Sequence, residues 1–117
     1  MNINKVICTG RLTKDPELKQ LNGDSVVCEL RLAVDGMGRG REAGYVNVSV
    51  YGNGGQAAAD HLTKGWLVAV DGRLEYHEWN SEAGRRHDYS VVGNVEFLAA
   101  PRAVGEAADV SEEVRAA

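Results

Sequence analysis

The sequence predicts an all-β domain carrying one short helix, and three features lead there. Apolar and polar residues alternate from Val26 to Val34 and again from Tyr45 to Tyr51, the period of a half-buried strand. Clusters such as Asn22-Gly23-Asp24 and Asn80-Ser81-Glu82-Ala83-Gly84 punctuate the alternating runs as turns do. Within the strand-rich region, helix-forming composition is found in Gln56-Ala57-Ala58-Ala59-Asp60-His61-Leu62, which Lys64-Gly65 ends.

The first strand covers Lys5 to Thr13. Val6, Cys8, Gly10 and Leu12 share the parity that faces a core, while Lys5, Thr9 and Arg11 face solvent or a ligand. Asp15-Pro16 stops it, because proline donates no ladder hydrogen bond and fixes its own φ. A loop through Asn22-Gly23-Asp24 leads to the second strand, Ser25 to Val34. Val26, Cys28, Leu30, Leu32 and Val34 point inward there, and Val27, Glu29, Arg31 and Ala33 outward. Asp35 to Gly44 is glycine-rich, charged and aperiodic, so a mobile loop is expected. In the third strand, Tyr45 to Gly52, Val46, Val48 and Val50 take the core side and leave Tyr45, Asn47, Ser49 and Tyr51 on the other. The helix follows Gly54-Gly55. Trp66, with the parity of Val68 and Val70, is expected to pack against it. The fourth strand, Leu67 to Trp79, sets Val68, Val70, Gly72 and Leu74 inward, with Tyr76 on the same parity. Arg73, Glu75, His77 and Trp79 point outward. Beyond the hairpin tip, the fifth strand, Arg86 to Leu98, keeps Tyr89, Val91, Val95 and Phe97 on one parity.

Three strands, a short helix and two more strands is the element order of the five-stranded OB-fold barrel, with the helix between strands three and four. Residues 1–100 are expected to form this domain. The pattern is lost from Ala99 onward, so residues 101–117 read as a short disordered tail.

A chain of 117 residues has room for one core, which argues against a two-domain enzyme with a cleft between domains. The longest apolar run, Trp66 to Val70, is far too short to cross a bilayer, and the N-terminus carries no apolar signal segment. A cytoplasmic protein without membrane attachment is expected. Cys8 and Cys28 both fall at core-facing positions, so buried thiols are expected and not a disulfide. The net charge of -4 warns against a facile nucleic-acid assignment. In residues 103–117, however, four acids stand against Arg115 alone, a balance of -3 that leaves -1 for the body. A near-neutral body still binds a polyanion where its cations share one face.

No GxSxG turn, HExxH or CxxC pair, or GxxxxGK[ST] loop is present, so an enzyme, a metal and a cofactor are not expected. Gly36-Met37-Gly38-Arg39-Gly40 opens no helix and is a poor dinucleotide loop. His77 and His87 are about equally far from the hairpin tip and would face each other as a cross-strand pair. Single-stranded DNA is the better match, since it offers flat bases to stack and phosphates to neutralise. Tyr45 and Tyr51 lie roughly 20 Å apart along one side of a strand whose valines take the other side. Trp79 shares the outward parity with Arg73. The candidate stacking residues are therefore Tyr45, Tyr51 and Trp79, and the candidate phosphate contacts are Arg11, Arg31, Arg39, Arg41, Arg73, Arg85 and Arg86. Two alternatives stay open: exposed tyrosines also mark protein interfaces, and Trp79 can cap Arg85 as a cation–π partner. Glu75 and Glu78 are awkward neighbours for phosphate.

Asn4-Lys5-Val6-Ile7-Cys8-Thr9-Gly10-Arg11-Leu12-Thr13-Lys14-Asp15-Pro16-Glu17-Leu18 resembles the opening of bacterial single-stranded DNA-binding proteins. So do Tyr45 to Gly52, Ala57 to Gly65 and Val68 to Leu74, and the resemblance extends over about residues 2 to 98. It implies an OB-fold, assembled as a homotetramer, that binds single-stranded DNA without sequence preference in replication, recombination and repair. The family's stacking aromatics would fall on Tyr45, Tyr51 and Trp79, whereas the aromatic many members carry after the second strand is missing. Typical members also end in a long linker and an acidic tip that docks replication proteins. This chain ends Val114-Arg115-Ala116-Ala117, which argues against recruitment through the tail and for a paralogue or a phage- or plasmid-borne copy. The expected function is non-catalytic binding and protection of single-stranded DNA, in a bacterial nucleoid or a phage-infected cell. The alternative is a protein-interaction module of primosome type that keeps the scaffold and binds DNA weakly.

Overall fold

The computed structural model describes residues 2–101; from residue 102 the expected tail lies outside them. Its elements are β1 (Val6–Leu12), β2 (Glu17–Gln20), β3 (Val26–Val34), β4 (Gly44–Tyr51), α1 (Gly52–His61), β5 (Leu67–Ser81) and β6 (Gly84–Ala99). The strands form one sheet in the order β1-β5-β6-β4-β3-β2, and β1 also pairs with β3 at Arg11 and Leu12. That last pairing closes β1, β5, β6, β4 and β3 into the five-stranded ring of an OB-fold barrel, with α1 between the third and fourth strands of the ring. All neighbours are antiparallel except β4 and β6.

The alternating pattern converts directly into a core. Leu12, Cys28, Leu30, Leu32, Val48, Val50, Val68, Val70 and Val91 are buried together, and Ala58 of α1 and Leu62 just after it cap them. Each such aliphatic side chain contributes roughly 1.5–3 kcal/mol by leaving water. Gly10 is required by close approach, since a Cβ there would stand 2.7 Å from the Ala33 carbonyl oxygen. Asp15 has a second role besides ending the strand: its carboxylate accepts the Lys64 N–H at 2.8 Å, fixing the turn after α1.

Several expectations need correction. A sixth strand, β2, pairs with Val26 to Glu29 of β3. All four of its residues are exposed, so it leaves no burial period in the sequence. The helix begins at Gly52 and not Gln56, because Gly55 lets it approach β4 so closely that a Cβ would overlap the Val50 carbonyl at 2.1 Å. Val27, expected outward, is 4% exposed between Lys19 and Tyr51. Trp66 is half-buried against the core and meets Phe97 edge-on at 5.9 Å; Phe97 in turn meets His61 of α1. Leu74, Tyr76 and Tyr89 have inward parity yet are exposed.

The exposure of these last three has one cause. β5 and β6 outrun the barrel as a two-stranded ribbon that starts at the rim, where Leu74 faces the buried Val91, and runs to a two-residue turn at Glu82-Ala83; past that rim no core lies beneath either face. β5 parts from β1 at Gly72, whose cross-strand partner is Gly93, whereas β6 stays paired with β4 as far as Val91. A Cβ on Gly93 would sit 2.4 Å from the Gly72 Cα, so this pair admits no side chain. Cys8 and Cys28 are free thiols, and burial pushes both pKa values up. Among the described residues no helix is long and apolar enough to cross a membrane.

Candidate nucleic-acid interface

The outward side of the sheet is built in rows across β2, β3 and β4. Lys19, Val27 and Tyr51 form one row, Glu17, Glu29 and Ser49 the next, then Arg31 with Asn47, then Ala33 with Tyr45. Tyr45 and Tyr51 are 58% and 54% exposed at opposite ends of this face, while Val48 and Val50 beneath them are at 0% and 1%. The rings thus stand on a rigid floor. The Arg31 guanidinium lies over the Tyr45 ring at 4.8 Å, and its Nη1 donates to Asn47 Oδ1 at 3.4 Å. A cation and a π-face are therefore presented as a unit, suited to a nucleotide's phosphate and base.

A groove of about 500 Å³ continues from this face toward the ribbon, with Lys14, Lys19, Arg31, Tyr51 and His77 among its walls. Its charge is mixed, because Glu17, Glu29, Glu75 and Asp88 also line it. Part of the acid is engaged locally, by a hydroxyl at Glu29 and by an ion pair at Glu75. Ser49 Oγ donates to Glu29 Oε2 at 2.9 Å, and Arg73 Nη2 donates to Glu75 Oε2 at 2.7 Å. The Arg73 pair is exposed and contributes little to stability, at most about 1 kcal/mol.

On the ribbon, Trp79 is 41% exposed and stacks on His77 with ring centres 5.2 Å apart and planes 21° from parallel. Arg86 is its cross-strand partner and shares its face. Arg85 points to the other face, where its Nε donates to Glu78 Oε1 at 2.5 Å. Arg85 is therefore not the cap of Trp79, and Glu78 lies on the face opposite Trp79. The expected pairing of His77 with His87 is also off by one residue. His77 faces Asp88 and His87 faces Glu78, so the histidines occupy opposite faces. Among the described residues there is no group of three or more side chains able to hold a metal ion.

The remaining candidates are dispersed. Arg11 Nη1 donates to the Gly65 carbonyl at 3.0 Å, which commits its guanidinium to the turn after α1. Arg39 and Arg41 project from the β3–β4 loop, which is closed by Gly38 N–H to Glu42 O and Arg41 N–H to Gly38 O. Sequence reasoning missed Lys14, Lys19 and His77 as groove residues. Lys19 had no signal beyond its own charge, since β2 carries no burial pattern; His77 could have been found from its shared parity with Trp79.

Residues 3–98 match the model of the single-strand binding protein family. The chain belongs to that family. Relatives include a single-stranded DNA-binding protein 2 of Clostridium acetobutylicum, 37% identical over 82% of this chain and 77% of its own length. Another is a single-stranded DNA-binding protein of Thermosynechococcus vestitus, 30% identical over 87% of this chain and 88% of its own. A single-stranded DNA-binding protein 2 of Staphylococcus aureus is 36% identical over 82% and 73%. The match spans the whole barrel and the ribbon, so family membership covers every element of the groove.

Proposed function

We propose that this protein binds and sequesters single-stranded DNA without sequence preference, as a non-catalytic partner of replication, recombination and repair. The observation that carries the proposal is the continuous outward face from Tyr45 and Tyr51 on the barrel to Trp79 on the ribbon. Arg31, Arg73 and Arg86 share that face. Each stacked base contributes roughly 1–3 kcal/mol, and the cations hold the backbone alongside. Family membership points the same way. Stacking is assigned to Tyr45, Tyr51 and Trp79, and phosphate contact to Arg31, Arg39, Arg41, Arg73 and Arg86, with Lys14 and Lys19 added. The expected setting is the bacterial nucleoid or a phage-infected cell.

The working unit proposed is a homotetramer. β1 pairs with β5 along Val6 to Arg11, but on its other side with β3 only at Arg11 and Leu12. The open edge of Val6 to Gly10, next to an Ile7 that is 71% exposed, supports strand addition by a second copy.

Titration with oligo-dT at low salt, followed by tryptophan emission and gel shift, tests the binding. Quenching and a shifted band are expected, with a salt slope of about -0.7 per neutralised phosphate. Unchanged emission and no shift would overturn the proposal. Native mass spectrometry of the same samples reads the subunit count.

A further inference from the structure

The back of the ribbon, opposite Trp79, carries side chains that DNA binding as proposed does not use. Tyr76 and Tyr89 are direct cross-strand partners with ring centres 5.0 Å apart, and His87 lies against both rings at 5.7 and 6.3 Å. The Tyr76 hydroxyl donates to Glu78 Oε2 at 2.6 Å, while Arg85 Nε donates to Glu78 Oε1. One carboxylate thus ties a residue on its own strand to one on the other. At the ribbon's root, Asn4 Nδ2 donates to the Leu74 carbonyl at 2.8 Å, and the Leu74 N–H donates to Asn4 Oδ1 at 2.9 Å. The Asn4 side chain so extends the β1–β5 ladder beyond its last backbone pair, Val6 with Gly72.

We infer that Tyr76, Glu78, Arg85 and Tyr89, with Asn4 at the root, are positioning residues that hold the ribbon as a rigid arm and thereby place Trp79 against DNA. The inference rests on the DNA-binding proposal for its functional half. A two-stranded ribbon without a core is marginal in water, and this one starts only two residues past a cross-strand pair of glycines, Gly72 and Gly93. Something must resist bending and fraying there. Glu78 precedes Trp79 in the strand, and successive side chains point to opposite faces, so fixing the Glu78 carboxylate fixes the backbone from which Trp79 projects. The His77 stack orders the indole ring itself but crosses to no other strand.

The test uses Trp66→Phe protein, so that emission reports Trp79 alone. Tyr76→Phe removes one hydroxyl, Glu78→Gln one charge, and Glu78→Arg reverses the charge with or without Arg85→Glu. Read-outs are the emission anisotropy of the free protein, the melting temperature, and the affinity for dT oligomers of about four and about sixteen nucleotides. Tyr76→Phe and Glu78→Gln should lower the anisotropy and weaken binding of the long oligomer by about threefold to fivefold. Melting temperature and short-oligomer affinity should not change. Glu78→Arg should have a larger effect, and adding Arg85→Glu should restore both read-outs. Unchanged anisotropy in Tyr76→Phe and Glu78→Gln would overturn the inference, as would equal weakening for both lengths or no restoration by the charge swap. Should the unsubstituted protein bind neither oligomer, the DNA-binding proposal fails, and the anisotropy series still decides whether the brace exists.

Discussion

Tyr51 and Trp79 are proposed to do the same work from two differently built platforms. Tyr51 stands on β4, where the opposite face of the strand is sealed by Val48 and Val50. Trp79 stands on a ribbon whose two faces are both exposed and whose shape depends on cross-strand contacts among Tyr76, Tyr89, Glu78 and Arg85. The same alternation of side chains governs both places. What differs is whether a core lies beneath. On the barrel, hydrophobic burial positions the outward face without further device, whereas on the ribbon cross-strand polar and aromatic pairs must do so.

The sharpest way to break this comparison is to make one chemical change in both places. Leu32, at 0% exposure, and Leu74, at 43%, share an inward parity. Leu32→Ala should cost about 2–5 kcal/mol of stability in denaturant unfolding, because it leaves a cavity in a closed core. Leu74→Ala should stay within about 0.5 kcal/mol, as exposed substitutions do. Equal costs would show that the ribbon is buried in the folded state and that the contrast is wrong.

Next in size are the aromatics. Tyr51→Ala should weaken oligo-dT binding by about 1–3 kcal/mol while unfolding is unaffected, measured by titration monitored through Trp79 emission. Trp79→Ala should lose a similar amount only with oligomers long enough to reach the ribbon. A loss that does not depend on length would place both residues on one compact site.

The sequence carried most of the barrel and less of the ribbon. Strands buried on one side, such as Val26 to Val34, announce themselves through alternation, and the ring closed as the element order implied. β2 was illegible, because its formation depends on backbone pairing with β3 and not on any buried side chain. Tyr76 and Tyr89 were assigned the parity of the core correctly but not its burial, since parity cannot tell where a sheet outruns its barrel. On the site, the outward placement of Tyr45 and Tyr51 followed from parity, whereas Trp79 is exposed because both faces of the ribbon are. The engagement of Arg85 with Glu78 and of Arg11 with Gly65 did not, because both depend on register or on a turn far away in sequence.

A smaller effect probes the mixed charge of the groove. Glu75→Gln removes an acid from the groove and releases Arg73, so binding should tighten by at most about 1 kcal/mol and its salt dependence should steepen. Weaker binding would mean that the Arg73–Glu75 pair orders the site.

The smallest effect concerns pH and belongs to the ribbon. The Tyr76 hydroxyl and then Arg85 hold the Glu78 carboxyl below its ordinary value of 4.5. A lowered carboxylate pKa stabilises the folded form fully above that ordinary value, and the contribution is lost as pH falls through the lowered one. The hydrogen bond to Glu78 raises the Tyr76 phenol above 10, so its own contribution persists below 10 and is lost above the raised value. Trp79 anisotropy should therefore be flat between these limits and fall at the acid end before the barrel unfolds. A decline near neutrality would contradict this assignment.

The central claim is that one continuous face, from the barrel tyrosines to the ribbon tryptophan, receives single-stranded DNA. Photo-crosslinking with an oligomer carrying 5-iodouracil at every position, followed by peptide mapping, tests it most directly. The account predicts crosslinks at Tyr45, Tyr51 and Trp79 and none at Tyr76 or Tyr89 on the back of the ribbon. Crosslinks concentrated at Tyr76 and Tyr89, with the outward aromatics unmodified, would contradict it.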